Sequence, residues 1–196
     1  RAEREERLRD RQARLERRRD ELAITDQFNT LVVDVIQSIF GSSTRTETSE
    51  TVCERLASSS LYDAACIVID EDDADTRRLE AGAIASDTSL VADPETFVDS
   101  PFVRQLLAES ASTREVTTTR RQFDSGDDER ETLAAAVSIA CGETTFGTLV
   151  LATTDPPEFG DAVRSGFTVL GEALGFAFLA ERRQRTLEAG QNVELE

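Results

Sequence analysis

Apolar residues recur at helical spacing near both ends of the chain, and this pattern predicts long terminal helices. The N-terminal stripe closes at Gly41, because glycine is typical of a helix C-terminus. The stripe residues are Ile24, Phe28, Leu31, Val35 and Ile39. Ahead of them, leucines recur every seven residues at Leu8, Leu15 and Leu22, while the positions four residues later are polar. This half of a heptad pattern fits either a single solvated helix or a two-stranded signalling helix.

The last helix is predicted to begin at a capping box in residues 155–158, and it carries two apolar stripes. The first consists of Phe159, Val163, Phe167, Leu170, Leu174 and Phe178. The second consists of Val169, Ala173, Phe176 and Ala180. Two stripes imply two surfaces to bury, one against the domain and one against another helix. Gly166, Gly171 and Gly175 each cost up to ~1 kcal/mol inside a helix, so they predict a close backbone approach at this helix.

Between the terminal helices, short apolar runs indicate strands. They are predicted at 62–70, 78–86, a short stretch through Val116, 133–141 and 145–153. Ser49 is placed to cap a second helix, and Ser100 is placed to cap an inserted helix that begins with Pro101. The polar segment 120–131 is predicted to be a mobile loop. Hairpin-linked strands with helices at the two ends predict an α+β fold with a central antiparallel sheet.

Charge and composition exclude several function classes. All 22 basic residues are arginine, histidine is absent, and 39 acidic residues leave a net charge of −17. Self-repulsion at this level destabilises a compact state in dilute buffer, and concentrated salt screens it, with a Debye length of ~3 Å near 1 M. The charge therefore indicates a protein of a high-salt cytoplasm. The same charge argues against direct nucleic-acid binding. Without histidine and lysine, no imidazole base, Schiff base or P-loop lysine exists, so we predict no enzyme, no catalytic residue and no metal site.

The length predicts one domain of about 150 residues with extensions. Three widely spaced cysteines form neither a disulfide framework nor a metal cluster, which suits a reducing cytoplasm. No run approaches the ~20 apolar residues of a membrane span, so we predict no membrane association. The chain starts at Arg1 without methionine, which leads us to expect a fragment of a longer polypeptide.

Several segments, in order and spacing, resemble a known family. They read ETVCERLA and LYDAACI in residues 50–67, TFGTLVLA in 145–152, FGD in 159–161, LGEALG in 170–175 and VELE in 193–196. The likeness covers roughly residues 24–190. Over this range the chain resembles the GAF domains of haloarchaeal transcription regulators related to the bacterio-opsin activator, in which a helix-turn-helix output region follows. The segment VELE in 193–196 is similar to the start of that output region.

The resemblance implies a six-stranded antiparallel sheet, with the terminal helices packed on one face and a small-molecule pocket on the other. It also implies a cytoplasmic regulator that reaches DNA only through an output domain outside this fragment. The domains are then a signalling or coiled-coil helix at 1–21, the GAF domain at 22–190 and the start of a linker at 191–196. No cofactor is identifiable, because no Cys-His dipeptide is present to attach a bilin and no cyclic-nucleotide motif is recognisable; an unknown small-molecule ligand stays open.

Two sets of candidate site residues follow. The pocket candidates are Cys66, Phe97, Phe102, Phe123, Cys141 and Phe146, for which ordinary core packing is the alternative. The homodimer candidates are Leu15, Leu22, Val169, Ala173, Phe176 and Ala180. A thiol pair of Cys66 and Cys141 is a redox trigger if the two approach each other, and simple core residues otherwise. The function hypotheses are a dimeric sensor and a degenerate GAF domain that only dimerises and spaces other domains.

Overall fold

The computed structural model describes residues 2–70, 77–88, 90–111, 113–125, 128–154 and 160–193. The helices are α1 (Ala2–Gly41), α2 (Arg45–Ala57), α3 (Pro94–Asp99), α4 (Pro101–Ala111) and α5 (Asp161–Val193). The strands are β1 (Ala64–Asp70), β2 (Arg77–Ile84), β3 (Thr117–Ser125), β4 (Asp128–Cys141) and β5 (Thr144–Thr153). The predicted capping box of the last helix, residues 155–158, lies outside the described residues.

The sheet is antiparallel throughout, with strand order β2-β1-β5-β4-β3. This arrangement confirms the predicted α+β class, although the described residues form five strands rather than six. β1 is buried on both faces up to Ile69, as expected of a doubly covered strand. The β4–β5 turn is made at Gly142, whose φ of 62° favours glycine over residues with a Cβ.

The structure corrects two local predictions. Segment 120–131 is not a loop, because it belongs largely to the β3–β4 hairpin, in which Arg120 pairs with Leu133. A polar edge strand lacks the apolar alternation by which strands are recognised. The second helix is capped by Thr44 rather than Ser49: the Thr44 hydroxyl accepts a hydrogen bond from the Glu47 amide at 3.2 Å, and Ser49 lies buried inside α2. The Ser100 cap of α4 is confirmed, since its hydroxyl accepts from the Val103 amide.

Two apolar layers cover the sheet, and sequence alternation assigns each strand residue to one of them. Helices α1, α2 and α5 pack on the face that carries Ala65, Ile67, Leu149 and Leu151. Helices α3 and α4 pack on the opposite face, which carries mostly alanines. The terminal helices therefore pack on one face of the sheet, as the resemblance implied, and the larger core lies under them.

The glycines of α5 explain how closely this helix approaches the sheet. A methyl group on Gly171 would overlap the Ser138 carbonyl oxygen, and one on Gly175 would overlap the Ala140 backbone. Gly166 likewise makes room for the Phe28 ring of α1. The predicted close approach is thus confirmed at all three positions, and α5 rests directly on the β4 backbone.

Helices α1 and α5 run side by side in the same direction. The Phe28 ring meets the Phe167 ring edge-on at a centroid distance of 5.3 Å, while Phe40, twelve residues further along α1, shares a groove with Phe176 of α5. α1 is one continuous helix across the predicted boundary after residue 21. Consequently its N-terminal half extends beyond α5 at one end of the domain, and the C-terminal part of α5 extends beyond α1 at the other.

By length and composition, Asp161–Ala189 of α5 is sufficient to cross a membrane, which the sequence analysis did not anticipate. Its first apolar stripe is nevertheless buried in the domain core. The buried members are Val163, Phe167, Leu170, Leu174 and Phe178. A core helix of a globular domain has the same composition, so this property alone does not indicate a bilayer span.

An ion-pair cluster around the buried carboxylate of Glu80 ties α2 to β2. Glu80 is the extra residue of a β-bulge, since Ile67 pairs with Ala81 and Val68 with Leu79, and its carboxylate turns towards α2. It accepts hydrogen bonds from Arg45 Nε at 3.2 Å, Thr46 Oγ1 at 3.1 Å and an Arg78 guanidinium nitrogen at 2.6 Å. Only 2% of the Glu80 side chain is exposed.

This cluster makes the fold sensitive to acid. Burial alone would raise the pKa of Glu80, but the Arg45 charge and the Thr46 hydrogen bond outweigh it and lower the pKa below its ordinary value. Stability from this group is therefore present above the unfolded-state pKa and is lost as the pH falls through the folded-state value. We expect Glu80→Gln to lower the free energy of unfolding at pH 7 by about 2 kcal/mol and to flatten its acid dependence.

Urea unfolding between pH 7 and pH 3 in molar KCl measures both effects. Glu54→Gln on the exposed side of α2 is the matched control and should leave the pH profile unchanged. An unaltered acid limb in Glu80→Gln would contradict the assignment.

Candidate functional site

Three of the six pocket candidates meet between the sheet and helices α3 and α4. Cys66, Phe97 and Phe102 are all buried there, and they pack against the small side chains of the sheet. The small residues are Ala64, Ala134, Ala136 and Ala152. α3 lies close on β2, because a methyl group on Gly82 would overlap the Pro94 side chain. Protein side chains therefore fill the part of this layer where these three residues lie.

Two other candidates lie on the opposite face, so the six do not form one pocket. Phe146 packs against Phe178 of α5 at a ring-centroid distance of 6.0 Å, and the Arg182 guanidinium lies 5.9 Å from its ring centroid. Cys141, half-buried, packs against the same layer. The remaining candidate, Phe123, belongs to β3, but its side chain lies outside the described residues.

A β-bulge explains the misplacement of Phe146. Ile139 pairs with Gly147 and Ala140 with Thr145, so Phe146 is the extra residue in β5. A bulge reverses the alternation of side chains along a strand. Val150 faces α3 and α4, and simple alternation from it would have placed Phe146 on that face too. The bulge instead turns the ring towards α5.

The structure does not bring the two cysteines of the proposed thiol pair together. Cys66 faces α3 and α4, whereas Cys141 packs on the other face, and β5 separates their strands. Along the sheet, Cys66 aligns with Ala136, five residues or about 17 Å from Cys141. Burial, followed by the nearby Glu95 charge, raises the pKa of Cys66 to about 12, which keeps its thiol protonated at neutral pH. This geometry does not support a redox trigger.

The dimer candidates lie on the outer surface of α1 and α5. Phe176 is 57% exposed, Val169 50%, Leu15 60% and Leu22 70%. Ala180 is also exposed and Ala173 is partly buried. Sequence reasoning missed three further exposed apolar residues on the same helices: Val33, Phe40 and Leu187. The heptad spacing could have identified them: Leu187 follows Ala180 by seven residues, and Val33 and Phe40 are themselves seven residues apart.

Two concave regions involve the terminal helices. A groove of about 580 Å³ lies between the end of α1, α5 and β4, and it is lined by Phe40, Val116, Cys141, Val169, Ala173 and Phe176 among others. A larger and more polar cavity, of about 1040 Å³, opens at the end of the sheet where β1 begins. Ile24 and Gln27 of α1 line this cavity, together with Tyr62, Asp63 and the serines of the α2–β1 loop. A molecule bound there would touch α1 directly.

Asp63 fixes one wall of the larger cavity. Its carboxylate accepts hydrogen bonds from the amide and the hydroxyl of Thr154, which holds the segment after β5 against the start of β1. The Ala85 amide also donates to the Asp63 carbonyl at 2.8 Å. In the described part of the chain, no group of three or more cysteine or acidic residues is placed to hold a metal ion.

The architecture is that of an α+β domain with an antiparallel sheet between two helical layers. No protein-family model and no curated protein matches the chain. Solved structures do match. The GAF domain of an Acinetobacter phosphoenolpyruvate-protein phosphotransferase is 14% identical with a TM-score of 0.57, over 81% of this chain and 97% of that one. Its counterpart from Coxiella burnetii is 12% identical, with a TM-score of 0.59 over 83% and 98%.

The GAF domain of a putative sensor histidine kinase from Pseudomonas syringae pv. tomato is 13% identical, with a TM-score of 0.56 over 87% of this chain and 97% of that one. At such identities these matches establish the fold. The chain therefore has the fold of a GAF domain.

Proposed function

We propose that the chain is a sensory or regulatory GAF module that dimerises through α1 and α5 and has no catalytic activity of its own. In this proposal it belongs to a cytoplasmic transcription regulator similar to the bacterio-opsin activators. It couples a small-molecule signal to a DNA-binding domain outside this sequence. The observation that carries the proposal is the pair of terminal helices, which run through the domain in the same direction and extend beyond it at opposite ends.

The packing of these helices supports a relay. Because α5 rests on the β4 backbone at Gly171 and Gly175, and α1 packs on α5 at Phe28, a displacement of either helix is resisted by contacts along its length. The polar cavity at the end of the sheet offers a place where a ligand would contact α1 at Ile24 and Gln27. A ligand shifts the helix arrangement only if it binds one arrangement better than the other.

The packing of Cys66, Phe97 and Phe102 against the sheet alanines supports a second candidate, a degenerate GAF domain that only dimerises and spaces other domains. The two candidates differ in their response to small molecules. A sensor should show a higher melting temperature in molar KCl with at least one member of a metabolite library, by about 3 °C or more at saturating ligand.

The same ligand should change hydrogen exchange in the C-terminal half of α5, because that part of the helix leads out of the domain. A spacer gives a dimer with no melting shift and no change in exchange. A monomer at tens of micromolar in molar KCl would contradict both candidates.

A further inference from the structure

The exposed apolar side chains of this domain are confined to the two terminal helices. Among the described residues, every large hydrophobic side chain that remains exposed lies on α1 or α5, with exposures between 50% and 71%. They are Leu15, Leu22, Val33 and Phe40 on α1, and Val169, Phe176 and Leu187 on α5. Scattered exposed hydrophobics are common, but confinement to two adjacent helices indicates an interaction surface.

These residues follow a heptad register on each helix. On α5, Val169, Ala173, Phe176, Ala180 and Leu187 are spaced by alternating steps of four and three, with Arg183 at the one polar position between them. On α1, Leu15 and Leu22 occupy one core position of a heptad, and Val33 and Phe40 occupy the other in the following heptads. Around the two leucines that other position is polar, with Gln12, Arg19 and Asp26, so the apolar seam of α1 is complete only towards its C-terminal end. Such a repeat is the signature of a helix that packs against another helix along a seam.

We propose that a second copy of this chain covers both seams in a parallel, two-fold dimer whose axis runs along α1 and α5. This inference rests on the dimerisation proposed above and specifies its geometry. Because α1 and α5 run in the same direction, one axis parallel to both places each seam opposite its own copy. Phe176 of each copy packs at the groove of the other, beside Phe40 and Val169.

The size of the surface agrees with a dimer. The exposed parts of the seven large side chains amount to roughly 700 Å² per chain, taking ~150–200 Å² for a fully exposed side chain of this size. A standard interface buries about 800 Å² per partner.

One pair of charges flanking the α1 seam fits the parallel orientation, whereas the equivalent pair one heptad earlier, Arg4 and Arg9, is like-charged. If Leu15 occupies the second core position, a parallel pair places Arg11 of one copy beside Glu16 of the other. These two side chains have opposite charge.

Cysteine crosslinking of the full chain in molar KCl tests the orientation. Leu15→Cys and Leu187→Cys lie near opposite ends of the molecule, and a parallel axis sets each position against itself, so both variants should form disulfide-linked dimers on mild oxidation. Arg17→Cys and Arg185→Cys, on the sides of the same helices that face away from the seams, are the matched controls and should crosslink at least tenfold more slowly. The unsubstituted chain reports the background from its three native cysteines.

A second variant tests the anchor. Phe176→Arg should weaken association at least about 100-fold in sedimentation, while its melting as a monomer stays unchanged because the ring is exposed. Ala108→Arg on α4 adds the same charge on the opposite face and should remain dimeric. A dimer in which neither Leu15→Cys nor Leu187→Cys crosslinks above the controls overturns the parallel arrangement but leaves a dimerising module standing. A dimeric Phe176→Arg overturns the role of this ring, and a monomeric native chain overturns both proposals.

Discussion

Replacing Phe167 with alanine is expected to lower the free energy of unfolding by about 4 kcal/mol. The ring is fully buried, meets the Phe28 ring edge-on at 5.3 Å and lies 6.1 Å from the Tyr62 ring. It therefore joins α5, α1 and the segment just before β1 in one cluster, and its removal leaves a cavity where these three segments meet. Urea unfolding followed by circular dichroism in molar KCl measures the loss.

Phe176→Ala on the same helix is the matched control for this prediction. Phe176 makes its contacts outside the domain if the chain dimerises, so its loss should depend on protein concentration. The loss in Phe167→Ala should be the same at every concentration. Equal, concentration-independent losses in the two variants would show that Phe176 packs within its own chain.

Replacing Gly175 with alanine is expected to destabilise the fold by about 2 kcal/mol, although alanine is the better helix former by ~1 kcal/mol. The added methyl group would overlap the Ala140 backbone, which is held in the sheet and cannot yield as a flexible side chain would. α5 would have to lift away from β4, which opens the core on both sides of the contact. The measurement is again urea unfolding in molar KCl.

Gly41→Ala supplies the control for this substitution. A methyl group at Gly41 meets nothing within 4 Å, and the residue closes α1 without a left-handed backbone conformation. Alanine there should leave the stability unchanged or raise it by a few tenths of a kcal/mol. If Gly175→Ala were as stable as Gly41→Ala, the close approach of α5 to β4 would be wrong.

Much of the fold could be predicted from local patterns, because the signals there were strong. The stripe of α1 ends at Gly41, the Ser100-Pro101 pair starts α4, and the glycines of α5 imply a close approach that the structure contains. The polar β3 edge strand escaped prediction because both its residue types and its flanks look like a loop. Its identity depends on pairing with β4, a contact between segments that no local window contains.

The candidate site was predicted less well, because its geometry depends on register. The bulge at Phe146 turns one ring to the other face, and the bulge at Glu80 turns a carboxylate into the helical layer. A one-residue slip of this kind leaves no trace in the apolar pattern. The surface of α1 and α5 was predicted better, since helical periodicity alone determines which residues share a face.

The polarity of the two terminal helices also governs how such a module can be built into larger proteins. The polypeptide enters the domain at one end and leaves it at the opposite end. Several domains of this type can follow one another in tandem without a reversal of the chain direction. Their order in the sequence then becomes their order in space. A domain whose two termini emerged on the same side would instead project sideways from the line of its neighbours.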